Sequence, residues 1–290
     1  MKVLPFNVPA LNVLPCNLRL STALLRATAL ELAILAAHLI LYPSGLTPER
    51  PARAAARRKG PLPAETGSGA GPARLPSTPT AVPVVLLHGF IDNRSVFVLL
   101  RRSLAGPDRR HVECLNYSPL IRDVRTAAEL LGRHVEEICT RTGHSEVDIV
   151  GHSLGGLIAR YYVQRLGGDQ HVRTLVTLGT PHSGTTVAPL AGAHPIVRQM
   201  RPDSPVIEEL RRPAPGCRTR FVSFWSDLDQ IMAPIETACI DHPDLIVENV
   251  RVSGIGHLAL PVHPAVATRI RQALDSGESA TGAPGAASVA

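Results

Sequence analysis

The sequence predicts an α/β domain with a mostly parallel central sheet, helices on both faces and a short cap. From residue 83 onward, short β-branched runs alternate with longer amphipathic segments, which is the element order of a parallel sheet. The first run, VPVVLLH at 82–88, is almost continuously apolar, as expected for a strand buried on both faces. With 290 residues, 44% of them hydrophobic, the chain can fill the core of such a domain.

The elements follow in a regular order. The predicted strands lie at residues 82–88, 111–117, 147–150, 172–180, 219–225 and 245–252. The predicted helices lie at residues 95–105, 121–141, 153–166 and 263–274. In parallel sheets ligands bind at the carboxyl ends of the strands, so functional residues are expected just after these strands.

Residues 1–42 are predicted to form an N-terminal arm with one helix. The segment 21–42 is apolar and almost long enough to cross a bilayer, but Arg26, Glu31 and His38 interrupt it. Because Glu31 and His38 are seven residues apart, they share one helical face. The segment is therefore expected either to be associated with a membrane, as an anchor or surface helix, or to be docked on the protein.

The remaining boundaries follow from composition and charge. Residues 43–82 are rich in Pro, Gly, Ala and Arg and are predicted to be a disordered linker. Residues 83–275 are predicted to form the folded α/β domain, and residues 276–290 a disordered tail. The net charge of +6 comes from the first 80 residues, which contain nine Lys or Arg and three Asp or Glu. Residues 81–290 contain 21 basic and 21 acidic residues. A charge-balanced domain with 3% aromatic residues argues against a nucleic-acid partner.

One serine lies between glycines in DIVGHSLGGLIARYY, at residues 148–162. Ser153 follows a predicted strand without a loop and begins a predicted helix, so the turn must be sharp, and Gly151 and Gly155 provide the clearance. The helix N-terminus adds free N–H groups and partial positive charge. An ordinary N-cap serine needs no such glycines, so Ser153 is predicted to be a nucleophile.

A nucleophilic serine needs a histidine base and an acid that orients it. Of the twelve histidines, His257 in VSGIGHLALP follows the last predicted strand in a glycine-containing loop, at the sheet edge that also holds Ser153. His263 is its main rival. The acid is expected in FWSDLDQIM, where Asp227 and Asp229 both follow a strand, and the pattern does not separate them.

Two backbone N–H groups are predicted to form an oxyanion hole. Leu154, directly after the nucleophile, supplies one, and Phe90 in HGFID, after the first strand, supplies the other. This chemistry needs no cofactor, and no His, Asp or Glu cluster has metal-ligand spacing.

Four motifs resemble those of bacterial triacylglycerol lipases and carboxylesterases of the α/β-hydrolase fold, particularly the small actinobacterial and Bacillus-type enzymes. The motifs are LLHGF at 86–90, GHSLGGLIARYY at 151–162, LGTPHSGT at 178–185 and GIGHLAL at 254–260. The small lipases carry an aspartate in a segment similar to WSDLDQIM, and this similarity implies that Asp229 is the acid, with Asp227 as the fallback.

The resemblance implies a serine ester hydrolase that cleaves lipid or medium-chain acyl esters through an acyl-enzyme. One alternative is a lipid or cell-envelope acyltransferase with the same triad, and another is a non-catalytic, membrane-associated α/β-hydrolase scaffold. The protein is expected to be secreted or membrane-anchored with an extracytoplasmic catalytic domain. Its oligomeric state stays open.

Two further expectations concern the cap and the cysteines. The apolar residues of segment 181–212 are expected to pack on the sheet or to line an acyl pocket; they are Val187, Leu190, Ile196, Val197 and Met200. Cys217 and Cys239 bracket the Asp229 loop, and in an exported protein a bridge between them would stabilise the fold by about 3 kcal/mol. Cys114 and Cys139 are expected to be free thiols.

Overall fold

Six parallel strands form one sheet in the part of the chain that the structure describes, in the order β2-β1-β3-β4-β5-β6. The computed structural model describes residues 22–46, 81–106, 110–118, 120–187 and 194–281. The strands are β1 (Val84–Leu87), β2 (Val112–Leu115), β3 (Val147–His152), β4 (Val172–Leu178), β5 (Arg220–Ser226) and β6 (Ile246–Val252). Each predicted strand is therefore present.

Helices cover both faces of the sheet. Those described are α1 (Thr22–Leu46), α2 (Val98–Leu104), α3 (Val124–Thr142), α4 (Leu154–Arg165), α5 (Pro195–Arg198), α6 (Pro205–Arg211) and α7 (Pro264–Thr281). Side chains of β1 alternate between two cores: Val85 and Leu87 pack with α3, α4 and α6, whereas Val84 and Leu86 pack with α2 and α7. The prediction of a parallel sheet with two helical layers is confirmed.

The helices differ from prediction in the cap and at the end of the domain. The cap segment 181–212, for which no helix was predicted, contains α5 and α6. The last helix was predicted to end at 274 and the tail to begin at 276, but α7 continues to Thr281, and within this extension Gly277 packs closely against Arg173 and Thr174 of β4. Of the predicted linker, residues 47–80 lie outside the described residues, as do residues 1–21.

The N-terminal helix α1 is docked on the sheet domain and extends past its predicted end. It continues through Pro43 to Leu46. Asn93 donates a hydrogen bond to the Tyr42 carbonyl oxygen (2.9 Å), and Asn116 donates to that of Gly45 (2.6 Å). The Gly45 carbonyl is one of those that a helix end leaves unpaired, and both bonds tie the last turns of α1 to the domain.

The predicted bridge between Cys217 and Cys239 is wrong, because both residues are free thiols. The residues on either side of Cys239 bond to Ser223 and to Asn249, which are paired in the middle of β5 and β6. Cys239 therefore lies beside the middle of β5, whereas Cys217 lies before Arg220, the first residue of that strand. The strand from Arg220 to Ser223 spans about 10 Å, and a disulfide tolerates only about 7 Å between the Cα atoms of its two cysteines.

A buried ion pair joins β3, β4 and α7. Arg173 donates from Nε (3.0 Å) and Nη2 (2.6 Å) to the two carboxylate oxygens of Asp148. Arg173 Nη2 also donates to the carbonyl oxygen of Leu274 (3.1 Å). Because the Asp148 side chain is fully buried, water cannot replace either partner.

Replacing Asp148 by asparagine is expected to lower the free energy of unfolding by about 3–5 kcal/mol, because Arg173 loses its buried counter-charge. Urea unfolding of the full chain measures the change. Glu248→Gln is the matched control: Glu248 pairs with Arg220 near the surface, where such a pair contributes less than about 1 kcal/mol. Equal losses in the two variants would contradict the importance of the buried pair.

Candidate active site

Ser153 occupies a strained turn between β3 and α4. Its φ of 52° and ψ of −121° are unusual for a residue with a side chain and cost about 1–3 kcal/mol. The Ser153 N–H donates to the Leu178 carbonyl oxygen of β4 (2.9 Å), which ties the turn to the sheet. A Cβ atom at Gly155 would collide with the carbonyl oxygens of Leu87 and His88, so this close approach requires glycine. Ser153 therefore lies in a sharp turn from strand to helix, as the sequence predicted.

His257 and Asp229 form a buried hydrogen bond. The Nδ1 atom of His257 lies 2.7 Å from Oδ2 of Asp229, and the two residues are only 5% and 2% exposed. The other carboxylate oxygen, Oδ1, accepts hydrogen bonds from the N–H groups of Ile231 (3.0 Å) and Met232 (3.2 Å). These bonds orient the carboxylate, and Nδ1 is committed to it, leaving Nε2 of His257 for other chemistry.

Asp227 and His263, the two rivals from the sequence, lie elsewhere. Asp227 accepts hydrogen bonds from Arg251 and from the Gly254 N–H at the surface. The His263 N–H donates to the carbonyl oxygen of Ala259, within the turn that leads into α7. Of the two aspartates that the pattern left open, Asp229 is therefore the one that contacts His257.

Gly179, directly after β4, leaves room for the hydrogen bond between His257 and Asp229. Its φ is +53°, and a Cβ atom there would lie 2.9 Å from both His257 Nδ1 and Asp229 Oδ2. Any side chain at this position would displace one of the two partners. The chain thus needs glycine here for both conformation and space.

The loops after β1, β3 and β6 meet around Ser153. The imidazole rings of His152 and His257 are 4.8 Å apart, and His152 Nε2 lies 3.2 Å from the His257 carbonyl oxygen. From the other side, Gly89 approaches so closely that a Cβ atom there would lie 3.3 Å from Ser153 Cβ. Phe90 follows Gly89, and Leu154 begins α4, so both predicted oxyanion N–H donors belong to residues that border this turn.

Charged groups around His257 favour its protonated form. Burial alone lowers the pKa of His257, but the charge and hydrogen bond of Asp229, with the charges of Glu31 and Asp92, outweigh burial and raise it. Burial raises the pKa of Asp92 to about 6, although the nearby His257 opposes that shift. Burial, followed by repulsion from His257, lowers the pKa of His152 well below its usual value. Of these two neighbouring histidines, His257 is therefore the one suited to accept a proton.

Two acidic residues near the site were not among the predicted functional residues. Glu31 of α1 accepts hydrogen bonds from the N–H groups of Leu258 and Ala259 (2.9 Å each). Its interruption of an apolar segment was the available signal. Asp92 lies 3.9 Å from His152 Nδ1, measured from its Oδ2 atom, and no sequence pattern distinguished it from an ordinary turn residue.

The cap residues mostly pack in the core. Ile196, Val197 and Met200 are buried against α3 and α4, whereas Val187 is 40% exposed and Leu190 lies outside the described residues. Packing on the sheet domain is thus the role of the three buried residues. Across the described ranges, no group of three or more His, Cys, Asp or Glu side chains is arranged to hold a metal ion.

Comparison with known proteins agrees with this fold. The family model for palmitoyl protein thioesterase matches residues 83–233, just over half of the chain. A triacylglycerol lipase of Pseudarthrobacter phenanthrenivorans is 38% identical over 60 residues, which make up 21% of this chain and 18% of the lipase. The aligned region thus covers less than a fifth of that relative's length.

Solved structures of lipases share the architecture. Lipase B of Aspergillus fumigatus superposes with a TM-score of 0.61 at 18% identity, covering 70% of this chain and 55% of the lipase. The mature lipase BlEst2 of Bacillus licheniformis gives a TM-score of 0.57 at 16% identity, covering 70% of this chain and 96% of the lipase. The predicted resemblance to lipases of the α/β-hydrolase fold is confirmed. The family match and the fold together show that the chain belongs to the palmitoyl protein thioesterase family of α/β hydrolases.

Proposed function

We propose that the protein hydrolyses carboxylic esters of lipid or medium-chain acyl groups through an acyl-enzyme on Ser153. The observation that carries this proposal is the buried hydrogen bond between His257 and Asp229 beside the strained turn of Ser153. The proposed nucleophile Ser153 follows β3, the acid Asp229 follows β5 and the base His257 follows β6. This is the chain order Ser, Asp, His that α/β hydrolases use.

In the proposed mechanism, Ser153 Oγ attacks the ester carbonyl carbon while His257 Nε2 takes the hydroxyl proton. The N–H groups of Phe90 and Leu154 stabilise the oxyanion. His257 then returns the proton to the leaving alcohol, and the acyl group stays on Ser153. Water repeats the cycle and releases the acid. Asp229 keeps the imidazole oriented and stabilises its cation throughout.

The acyl class is proposed from the family and its relatives. The matching family is named for palmitoyl thioesters, and the aligned relative is named a triacylglycerol lipase, so cleavage of an acyl group from an ester or thioester is common to both names. Thioester hydrolysis is the second candidate, because the same acyl-enzyme forms when a thiol is the leaving group. Transfer of the acyl group to another alcohol instead of water is the remaining alternative that keeps the triad.

Ser153→Ala in the full chain is expected to lower hydrolysis of p-nitrophenyl butyrate and p-nitrophenyl palmitate by at least about 10⁴-fold, since no nucleophile remains. A palmitoyl thioester, assayed in parallel, ranks ester against thioester. Ser276→Ala removes an exposed hydroxyl on α7 and serves as the control with unchanged rates. Equal rates of ester hydrolysis in wild type and Ser153→Ala would contradict the proposal. Acyl transfer to an added alcohol without hydrolysis would favour the acyltransferase.

The pH profile tests the pair of His257 and Asp229. His257 acts as a base only when neutral, so kcat/KM is expected to increase with pH through the pKa of His257, which Asp229 and the neighbouring carboxylates raise above the usual histidine value. Asp229→Asn removes the charge and hydrogen bond that raise this pKa. We expect a loss of about 10³–10⁴-fold in kcat, with the acidic limb moved to lower pH. Asp227→Asn is the matched control, and a larger effect there would reassign the acid.

We further propose that the exposed side of α1 contacts a lipid membrane. Segment Leu24–Leu46 is long and apolar enough to cross one, with a mean hydropathy of 1.8. Eight of its large apolar side chains are between 39% and 78% exposed: Leu25, Leu30, Leu32, Leu35, Leu39, Ile40, Leu41 and Leu46. Burying one such side chain contributes about 1.5–3 kcal/mol, so a few of them suffice for stable attachment. An exported, membrane-attached enzyme would fit this surface.

Flotation with phosphatidylcholine vesicles tests the membrane contact. The wild-type chain is expected to float with the vesicles, whereas a smaller fraction of a variant with Leu32→Gln, Leu39→Gln and Ile40→Gln is expected to float, because the variant loses three of the eight exposed apolar side chains. Leu166→Gln changes an exposed leucine at the end of α4 and is the matched control. Flotation of the triple variant at the wild-type level would contradict the proposal, as would a wild-type chain that does not float.

A further inference from the structure

The carboxylate of Glu31 accepts two hydrogen bonds from the turn that contains His257. Its Oε2 atom accepts the Leu258 N–H and its Oε1 atom accepts the Ala259 N–H, both at 2.9 Å. Gly256, on the other side of His257, approaches so closely that a Cβ atom there would lie 2.5 Å from the Glu31 carboxyl carbon. One side chain thus contacts the residues on both sides of His257.

The position of Glu31 is fixed because α1 is anchored at a second place. Asn93 and Asn116 hold the Tyr42 and Gly45 carbonyl groups, which lie 11 and 14 residues further along the helix. At 1.5 Å per residue these anchors are about 16–21 Å from Glu31. Two attachments at this separation set both the register and the direction of α1. The position of Glu31 against the turn of His257 is therefore set by the docked helix.

We propose that Glu31 is a positioning residue for the reaction, which holds His257 in place through the Leu258 and Ala259 N–H groups and adds negative charge beside the imidazole. The proposal rests on the proposed ester hydrolysis for its catalytic readout. It also makes the N-terminal helix part of the active site, so that the segment 83–275 alone lacks one of the groups that position the base.

Four groups face His257 from different elements. Asp229 after β5 bonds to the ring, Asp92 lies in the loop after β1, His152 ends β3, and Glu31 belongs to α1. Like Asp229 and Asp92, Glu31 raises the pKa of His257. Loss of its charge is therefore expected to lower that pKa even though Glu31 does not bond to the ring.

Glu31→Gln in the full chain tests the proposal, since it keeps the size of the side chain but removes the charge and one acceptor. We expect kcat to fall about 10-fold, which corresponds to one charge-assisted hydrogen bond, with KM within about twofold. The acidic limb of the pH profile is expected at lower pH. Glu129→Gln on α3, which removes an exposed carboxylate, is the matched control. A normal kcat and pH profile with a lower unfolding midpoint would show a merely structural role and overturn the proposal.

A second readout does not depend on ester hydrolysis. The His257 ring in the full chain, labelled with ¹⁵N-histidine, can be titrated by NMR in wild type and variants. The pKa of His257 is expected to be lower in Glu31→Gln and unchanged in Glu129→Gln; equal values in all three chains would overturn the proposal. A wild-type chain without esterase activity would refute the proposed function alone, because this titration still decides the role of Glu31.

If Glu31→Gln fails to fold, Glu31→Asp takes its place. The shorter side chain keeps the charge but cannot reach both N–H groups, so kcat is expected to fall while the pKa of His257 stays closer to the wild-type value. Unchanged kcat in Glu31→Asp would overturn the positioning role.

Discussion

The hydrogen bond between Asp229 and His257 depends on the parallel arrangement of the whole sheet. Asp229 follows β5 and His257 follows β6, while Gly179 directly after β4 lies under the bond between them. Parallel strands place their carboxyl ends at one edge, so residues far apart in the chain meet there with Ser153. A side chain at position 179 or a changed register of β4 against β5 would separate the two partners.

Burial and charge act against each other at this edge. The buried surroundings alone would keep His257 neutral, and the nearby carboxylates offset that effect. The neighbouring His152 is buried without a comparable partner, and its pKa falls instead. The same low-dielectric site therefore makes one histidine able to accept a proton and leaves the adjacent one neutral, which suits proton transfer through a single group.

Helix α1 turns two polar side chains toward the domain and exposes many of its apolar ones. Its polar residues Glu31 and His38 face the domain, where Glu31 reaches the His257 turn, while leucines cover its outer side. A helix that only anchored the chain would not need a carboxylate on its inner side, since an unpaired one costs free energy among apolar groups. The proposed membrane contact and the proposed positioning of His257 therefore belong to opposite faces of one element.

The sequence by itself determined the order of strands and helices and the turn of Ser153, because these depend on neighbouring residues: apolar periodicity, and glycines on either side of one serine. It also singled out His257 by its place after the last strand. The residue pattern left Asp227 and Asp229 open and the resemblance favoured Asp229, but only the tertiary structure shows the contact of Asp229 with His257, while Asp227 bonds to Arg251 and Gly254. Register along β5 separates Cys217 from Cys239. Glu31 is 227 residues from Leu258, and no local pattern encodes a contact that forms only when the helix docks.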